Sequence, residues 1–459
     1  MKQQREHWSS RLGFVMAAAG SAIGLGTLWM FPYITGENGG GVFVLIYLVA
    51  MLFVGFPIFI AELLLGRFAQ RAPVGIFAKL KSDSPHWKII GWLGVSGAFL
   101  MMSYYSVVAG WGLNYAFLSI NQFYQGRTAE EITKVFDILL VSGDINIFWH
   151  MIFMIMTVAV VYPGVRNGIE HWSRVMTSSL LLMLVGLFLY SLSLDGFSEA
   201  VHFIFYPDMS KLTPSGVLEA LGLSFFTLSL GQGVMLTYGS YMKKTDDIPK
   251  TAMIVVLMDI LVSLLVALVI FPMIFTYGFE PRSGPGLIFK VLPVIFSQMP
   301  ASVFVSSVFF ILFIFTALTS SVALVEVIVA NFIDLLGWSR KKSCIVVGVA
   351  IFIVGIPCAL SECQGIFANW KAIYGKTYFE VMSFVVSNWI LPVGGMLTAV
   401  FTGWVLLKEE CVEEFLQGTS WKWLFRPWFF MVRWLAPLST FVIILYKSGV
   451  LNLDALLAS

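Results

Sequence analysis

Charged side chains are scarce in this sequence, since Asp, Glu, Lys and Arg make up only 12% of its 459 residues. Soluble globular proteins have about 25%. Hydrophobic residues make up 58% of the chain, so the composition excludes an ordinary soluble fold and predicts a polytopic membrane protein in a lipid bilayer. The formal net charge of +2 is too small to favour a nucleic-acid partner.

Cysteine and histidine are also rare. The four cysteines form no CxxC pair, so we expect them to pack in the core. The five histidines lie at the ends of apolar runs or between them and indicate no metal site. HExxH, GxSxG and paired catalytic acids are absent, which disfavours an intramembrane enzyme. The first apolar run lacks a small-residue cleavage site, so we predict no signal peptide.

Apolar runs and the residues that break them predict eleven membrane spans of about 20 residues or more. The predicted spans lie near residues 10–36, 41–69, 88–121, 147–163, 167–193, 215–241, 251–278, 301–336, 343–360, 375–407 and 427–447. We expect the apolar connection 279–300 to fold back as a lid and the connection 409–423 to hold a short interfacial helix. Placing the N-terminus inside puts 20 of the 28 lysines and arginines on the inner side. The positive-inside rule therefore predicts an inner N-terminus and an outer C-terminus.

The first predicted span contains the stretch GSAIGLGTLWMFP, from Gly20 to Pro32. Each glycine weakens a helix interior by about 1 kcal/mol relative to alanine. Non-helical backbone is tolerated at membrane depth only where it faces protein or a wet cavity. The sixth span repeats the feature with FFTLSLGQG, from Phe225 to Gly233. A single glycine-rich helix is usually a packing surface, but the twin breaks favour a binding site made of backbone.

Broken helices at corresponding positions of two halves are typical of secondary transporters built from inverted repeats. Five spans in each half place the repeats at about 10–193 and 215–407, with 427–447 as an additional span. A channel is disfavoured, because one pair of broken helices indicates an occluded site rather than a continuous pore.

Several motifs resemble the neurotransmitter:sodium symporter family, in particular its short bacterial amino-acid transporters. They cover nearly the whole chain, in the family's order and spacing. The motifs are REHWSSRLG (5–13), GLG (24–26), ENGGG (37–41), ExxxGR (62–67), SYYSVV (103–108), FFTLSLG (225–231), TSS (319–321) and ILPVGG (390–395).

The resemblance implies an all-α polytopic fold with a 5+5 inverted repeat, discontinuous first and sixth helices and an eleventh helix, forming one transporter domain over 1–459. It implies sodium-coupled symport of an amino acid into the cell by alternating access, across the bacterial cytoplasmic membrane. The alternative is an uncoupled facilitator or a substrate-sensing receptor on the same scaffold. Nothing in the sequence indicates protein partners.

The resemblance also implies a substrate site between the two broken helices. Tyr105 is expected to donate its hydroxyl to a substrate carboxylate, and Phe226 to close the pocket from outside. Amine-transporting relatives have Asp where this chain has Gly24, so the substrate is expected to bring its own carboxylate. The implied substrate residues are Ala22, Gly24, Gly26, Met101, Tyr105, Phe226, Thr227, Ser229, Gln232, Ser320, Ser321 and Leu324.

Two sodium sites are implied. The second site consists of the carbonyls of Gly20, Ile23 and Thr316 with the hydroxyls of Thr319 and Ser320. The alternative for these hydroxyls is a bond back to their own helix. The first site consists of Ala22, Thr27, Thr227 and Asp259, and it departs from the family, which has Asn where this chain has Thr27 and Asp259.

The carboxylate of Asp259 also bears on chloride. A charge at the membrane centre costs about 2.5–3.5 kcal/mol on insertion scales and calls for a partner, which sodium supplies. Relatives without chloride dependence keep an acid where this chain has Ser263. We therefore predict that Asp259 replaces chloride and that transport does not require it.

The gates are implied to be asymmetric. The inner gate is Arg5, Trp8, Tyr241 and Asp334, as in the family. At the outer gate Met30, Ser383 and Leu223 replace the family's polar lock. An unpaired buried polar group is costly. The joint loss of all three polar partners therefore predicts an apolar gate.

This outer gate is predicted to consist of Met30, Leu223 and Phe226, and Glu380 is the alternative as a displaced partner. Ser178 stands where bacterial relatives often have the proline that follows Gly168, so inner-gate unwinding is expected to differ. Glu62 and Glu326 are expected to be structural.

Overall fold

The computed structural model describes residues 5–281, 284–363, 365, 367 and 369–451. These residues form helices and connections and no strand. Nine helices among them are long and apolar enough to cross a membrane. The pair Arg11–Ala22 and Gly26–Glu37, bent by 48°, makes a tenth. The predicted all-α membrane fold is confirmed.

We number the spans in chain order, span 1 being the bent pair. Span 6 is divided into Pro214–Thr227 and Val234–Gly239, halves of 14 and 6 residues that are each too short to cross alone. Each of the eleven predicted spans thus coincides with one helix or one broken pair. Spans 2 to 5 are Gly41–Ala69, Pro85–Ile120, Gly143–Val161 and Val165–Ser191, and spans 7 to 11 are Ile248–Thr276, Ser302–Leu336, Arg340–Ala359, Tyr378–Val405 and Lys422–Lys447.

Burial separates central from peripheral spans. Within the most apolar stretch of each helix, 83% of residues are buried in span 8 and 78% in span 3, against 39% in span 4 and 33% in spans 5 and 11. Spans 3 and 8 therefore form the centre of the bundle, next to the broken helices. Spans 4, 5 and 11 present apolar side chains to the bilayer, as a membrane protein requires.

Short helices fill the connections. The connection predicted as an interfacial helix contains Lys408–Leu416. The connection 279–300, described except at 282 and 283, contains the apolar helix Leu287–Gln298. The carbonyl of Phe289 accepts a hydrogen bond from the Tyr115 hydroxyl at 2.9 Å, so this segment is packed onto span 3. The remaining short helices include Pro73–Leu80, Ala129–Val141, Phe197–Phe205 and Trp370–Tyr374.

A buried ion pair fastens the helix after span 10 to the end of span 2. Arg67 Nε donates to Glu414 Oε1 at 2.6 Å, with neither side chain more than 4% exposed. The guanidinium also donates to the backbone carbonyls of Asp246, Glu414 and Gln417. Lys244 approaches the other oxygen of Glu414 at 2.7 Å. Arg67 of the ExxxGR motif thus joins the end of span 2 to the connections that follow spans 6 and 10.

Glu414→Ala is expected to destabilise the fold strongly. Removal of one partner from a buried pair leaves the Arg67 guanidinium uncompensated and costs about 3–5 kcal/mol. We expect the unfolding midpoint in detergent to fall by several degrees. Glu413→Ala is the matched control, because Glu413 is the exposed neighbour on the same helix. Equal midpoints for the two variants would show that the pair contributes little.

Candidate functional site between the broken helices

The break in span 1 follows Ala22. Ile23 leaves the helical conformation with φ −74° and ψ 75°, and the next half begins at Gly26. The Gly24 carbonyl accepts from the N–H groups of Thr27 and Leu28, both at 3.1 Å. These two bonds belong to the start of the second half. The Ala22 carbonyl, at the end of the first half, lies 3.4 Å from Thr27 Oγ1, so the carbonyl end of one half and the N–H end of the other lie together at the break. A carbonyl end suits a cation and an N–H end suits an anion.

The break in span 6 depends on left-handed backbone. Ser229, Gly231 and Gly233 have φ of 55°, 75° and 77°, a region in which glycine is unstrained. The N–H of Gly231 donates to Glu62 Oε1 at 2.8 Å. Glu62 is fully buried, so this carboxylate satisfies backbone that the break exposes, which agrees with its expected structural role.

Hydrogen bonds tie the two breaks to spans 3 and 8. The Ser21 carbonyl accepts from Ser229 Oγ at 3.1 Å and from Ser320 Oγ at 2.9 Å. The Tyr105 hydroxyl accepts from the N–H of Leu25 at 3.3 Å. Spans 1, 3, 6 and 8 thus meet at one point, and Tyr105 lies at the N–H end where a carboxylate is expected.

Two glycines of span 1 leave room at this point. A Cβ at Gly24 would lie 2.6 Å from Ser320 Oγ and 3.4 Å from the Tyr105 hydroxyl, and one at Gly26 would lie 2.7 Å from Phe226 Cδ1. Separations under about 3 Å force a neighbour to move. The glycines of the GLG motif are therefore required by close approach as well as by the break.

The other predicted substrate residues are buried, and the hydroxyl of one of them is directed away from the breaks. Ala22, Met101, Thr227 and Leu324 are buried. Ser321 Oγ donates to the Leu318 carbonyl at 2.9 Å and lies 3.0 Å from Thr157 Oγ1 of span 4. Its hydroxyl is therefore bonded within span 8 and towards span 4 rather than towards the breaks.

Gln232 is also buried, at 1% exposure. Among the described residues its Oε1 has no hydrogen-bond partner. A Cβ at Gly97 of span 3 would lie 3.9 Å from the Cβ of Gln232. The side chain therefore begins in the space between span 3 and the break of span 6.

The predicted second sodium site brings oxygens of spans 1 and 8 together. Ser320 Oγ lies 3.5 Å from the Gly20 carbonyl, and a Cβ at Gly20 would lie 3.1 Å from Thr319 Cβ. Thr319 Oγ1 donates to the carbonyls of Phe315 and Thr316, at 3.0 and 3.1 Å. Thr319 thus bonds back to its own helix, whereas Ser320 reaches across to span 1. The donor set contains only oxygen, which fits a hard cation.

The predicted first sodium site centres on a buried carboxylate. Thr27 Oγ1 donates to Asp259 Oδ1 at 2.9 Å and lies 3.4 Å from the Ala22 carbonyl. The Tyr47 hydroxyl lies 3.1 Å from Thr227 Oγ1 and 3.4 Å from Asp259 Oδ2. The ion pairs of the described residues do not include Asp259. An oxygen-rich cluster with an unpaired carboxylate fits a cation.

Two polar residues of this site were missed by the sequence reasoning. Tyr47 of span 2 contacts both Thr227 and Asp259, and Ser21 joins the breaks through its carbonyl. A tyrosine in the middle of an apolar span was the available signal for Tyr47. Ser21 acts through its carbonyl and also through its hydroxyl, which lies 3.3 Å from Ser229 Oγ, and a serine within the glycine-rich stretch of span 1 was the available signal.

The residues predicted for the inner gate contact one another. Arg5 Nη1 donates to Asp334 Oδ2 at 2.6 Å, and both side chains are 14% exposed. Trp8 Nε1 donates to the Tyr238 carbonyl at 3.0 Å. The Arg5 guanidinium lies 4.9 Å from the centre of the Tyr241 ring. The N–H of Trp8 also donates to the Tyr241 carbonyl at 3.1 Å, so all four residues predicted for this gate form one contact group.

Asp334→Asn is expected to lower uptake about tenfold. Asp334 also accepts from the N–H of Ala72 at 2.7 Å, and hydrogen bonds to a charged group contribute about 1.5–3 kcal/mol each. Loss of the charge is expected to loosen the predicted inner gate, on which the expected sodium-driven accumulation depends. Uptake into proteoliposomes measures the effect, with Asp83→Asn as the control, because Asp83 forms a pair with Lys81 at 3.6 Å and is 69% exposed. Wild-type accumulation by Asp334→Asn would contradict this role.

The opposite face holds a cavity of about 850 Å³ that reaches Phe226 and Tyr105. Met30 and Ser383 line this cavity, whereas Leu223 is 2% exposed and does not. Glu380 also lines it, but its carboxylate accepts from the N–H of Thr377 at 2.8 Å and caps span 10. The cavity thus reaches Tyr105 and Phe226 from the face opposite the residues predicted for the inner gate.

Comparison with known proteins decides the family. The model of the sodium:neurotransmitter symporter family matches residues 5–128 and 121–453. The chain belongs to this family. An uncharacterised sodium-dependent transporter of Bacillus subtilis is 40% identical over 98% of this chain and 99% of its own. One of Haemophilus influenzae is 34% identical over 96% and 98%.

A solved structure is similar over the whole fold. The crystal structure of MhsT in complex with L-phenylalanine matches with a TM-score of 0.88 and 40% identity, over 97% of this chain and 100% of that one. The family assignment made from the motifs is therefore confirmed, and so is the prediction that the protein is a transporter rather than an enzyme. The symporter is a multi-pass membrane protein of a sodium-dependent family.

Proposed function

We propose that this symporter carries an amino acid into the cell, driven by sodium, by alternating access. The observation that carries the proposal is the meeting of both helix breaks with Tyr105 and Ser320 at one point. This point has N–H groups and a phenol for a carboxylate and carbonyls for a cation. The bound L-phenylalanine of MhsT supports an amino acid as the substrate class.

The substrate carboxylate is proposed to bind at the start of the second half of span 1, where Gly24 and Gly26 leave space. Phe226 lies at the boundary of this space with the outer cavity and closes it when substrate is bound. Met101, Gln232 and Leu324 surround the substrate side chain. Gln232 offers a hydrogen-bonding group there, so we include polar and aromatic amino acids among the substrates.

Two sodium ions are proposed. One is held by Gly20, Ile23, Thr316, Thr319 and Ser320, and the other by Ala22, Thr27, Thr227 and Asp259. The Asp259 carboxylate supplies the negative charge of the first site, so chloride is not required. The single domain and its inverted repeats remain predictions, as does a cytoplasmic-membrane location with the N-terminus inside.

Purified protein in proteoliposomes tests the proposal. We expect a radiolabelled amino acid, chosen from a sodium-dependent thermal-shift screen of all twenty, to accumulate above its external concentration only with an inward sodium gradient. Equilibration that ignores the gradient would indicate a facilitator, and binding without uptake would indicate a receptor. Either result would overturn the symport mechanism.

The proposed apolar outer gate predicts the effect of a charge at Met30. Met30→Arg is expected to lower uptake at least fivefold, because closure buries a guanidinium that Ser383 cannot neutralise, and an unpaired charge costs more than about 1–3 kcal/mol. Met30→Leu is expected to retain wild-type uptake. An increase in uptake for Met30→Arg, measured in the same proteoliposomes, would mean that the gate does not close by apolar packing.

A further inference from the structure

An apolar groove of about 560 Å³ runs along the outside of the bundle between spans 4 and 9. It lies apart from the transport site. Its walls include exposed residues such as Ile155 and Val349, which are 58% and 52% exposed. Only 39% and 44% of the apolar stretches of these two spans are buried, so the groove faces the bilayer. Residues that form it include Val158, Ala159, Tyr162, Gly348, Val349 and Phe352.

The floor of the groove depends on Gly348. A Cβ at this position would lie 2.6 Å from Val158 Cγ2, so the two helices touch here. Larger side chains on either side then form the walls of the groove. A narrow groove at membrane depth suits a hydrocarbon chain, which needs no hydrogen bonds and is abundant around the protein.

One end of the groove is positively charged. Tyr162 lines this end, and the Lys341 ammonium lies 5.9 Å from the centre of the Tyr162 ring. Lys341 is exposed, and the ion pairs of the described residues do not include it. Its neighbour Arg340 is engaged instead with Glu326 at 2.5 Å and with the Val161 carbonyl at 3.1 Å. Lys341 is therefore available to a ligand at the mouth of the groove.

We propose that this groove binds an anionic phospholipid, with an acyl chain along spans 4 and 9 and the phosphate at Lys341. Charge complementarity favours an anionic headgroup, because the attraction between one basic residue beside a membrane helix and anionic lipid contributes about 1 kcal/mol to binding. The groove favours a lipid over a soluble phosphate, because an acyl chain lying in it buries apolar surface of both lipid and protein. The arrangement also excludes a zwitterionic lipid as the preferred occupant, because its headgroup carries no net charge.

The neighbouring lysine provides a matched control. The Lys342 ammonium lies 4.1 Å from the centre of the Trp338 ring, a residue that does not line the groove. Lys341→Gln and Lys342→Gln therefore remove the same charge from adjacent positions, but only one of them lies at Tyr162. Ala159→Phe tests separately whether the groove holds the acyl chain. Ala159 is exposed, so the larger side chain fills the groove without disturbing the core.

The test measures lipid affinity by native mass spectrometry of the full-length protein in detergent, titrated with dioleoyl phosphatidylglycerol or dioleoyl phosphatidylcholine. We expect wild type and Lys342→Gln to bind one phosphatidylglycerol more tightly than phosphatidylcholine. Lys341→Gln is expected to bind phosphatidylglycerol about fivefold more weakly, which equals about 1 kcal/mol, and Ala159→Phe to lose the bound lipid.

Three outcomes would overturn the proposal. They are equal affinities for the two lysine variants, unchanged binding in Ala159→Phe, and displacement of the lipid by inorganic phosphate at the same concentration. Dimers that form in place of lipid binding and disappear in Ala159→Phe would assign the groove to a second copy of the chain instead.

Discussion

Gly24→Ala is expected to reduce sodium-driven uptake about a hundredfold. The added Cβ would lie 2.6 Å from Ser320 Oγ, and that hydroxyl is held at 2.9 Å from the Ser21 carbonyl. Neither partner has room to withdraw, because Ser21 is 2% exposed and Ser320 is 5% exposed. Overpacking costs about 1–3 kcal/mol, and the upper part of this range corresponds to a hundredfold. The methyl group also occupies the proposed position of the substrate carboxylate.

Gly222→Ala provides the control for this variant. Gly222 lies in the first half of span 6, and a Cβ there meets nothing within 4 Å. Alanine also favours a helix over glycine by about 1 kcal/mol, so uptake and thermal stability are expected to be kept. Both variants are compared for folding by their unfolding midpoints and then for uptake. Normal uptake by Gly24→Ala would show that the substrate does not bind at the break of span 1.

Asp259→Asn is expected to reduce uptake at least a hundredfold in gluconate buffer without chloride. A carboxylate in contact with a cation contributes several kcal/mol at an effective dielectric constant of about 20. The substitution keeps the shape of the side chain and removes its charge. Thr27 and Tyr47, which contact Asp259, are neutral and cannot replace it. The wild type is expected to transport equally well in chloride and in gluconate.

Ser263→Ala is the control for the charge. Ser263 is buried on span 7, one helical turn after Asp259, and its loss removes a neutral hydroxyl from the same region. We expect it to keep most of the uptake. A wild type that fails in gluconate would refute chloride independence, and an active Asp259→Asn would refute the role of the carboxylate at the first sodium site.

Much of the fold was predictable because the bilayer restricts what a chain can do. Lipid offers no hydrogen bonds, so long apolar runs must be helices. Glycines at equivalent positions of two runs then mark where helices break. On this basis the spans and the breaks at Gly24 and Gly231 follow from the order of residues alone, and the family follows from the order and spacing of its motifs. The resemblance to the family implied Tyr105 and Ser320 as site residues, and the structure brings both together with the breaks.

Other features depend on side chains that approach from distant parts of the chain. Tyr47 lies 212 residues from Asp259, and its contact with that carboxylate depends on how span 2 packs against span 7. Ser321 follows Ser320 directly, but a rotation of about 100° along the helix turns it towards Thr157 instead. Leu223 lies below the surface of the outer cavity, while Met30 lines it.

By itself the sequence determined the class of this protein, its spans, its two helix breaks and the scarcity of charge within them, because these depend on local composition and on the solvent. Only the tertiary structure decided which oxygens face each other, which gate residues contact one another and which lysine lies at the mouth of the outer groove. Those relations depend on packing between helices, and a change of one residue in register moves a side chain to another face of its helix.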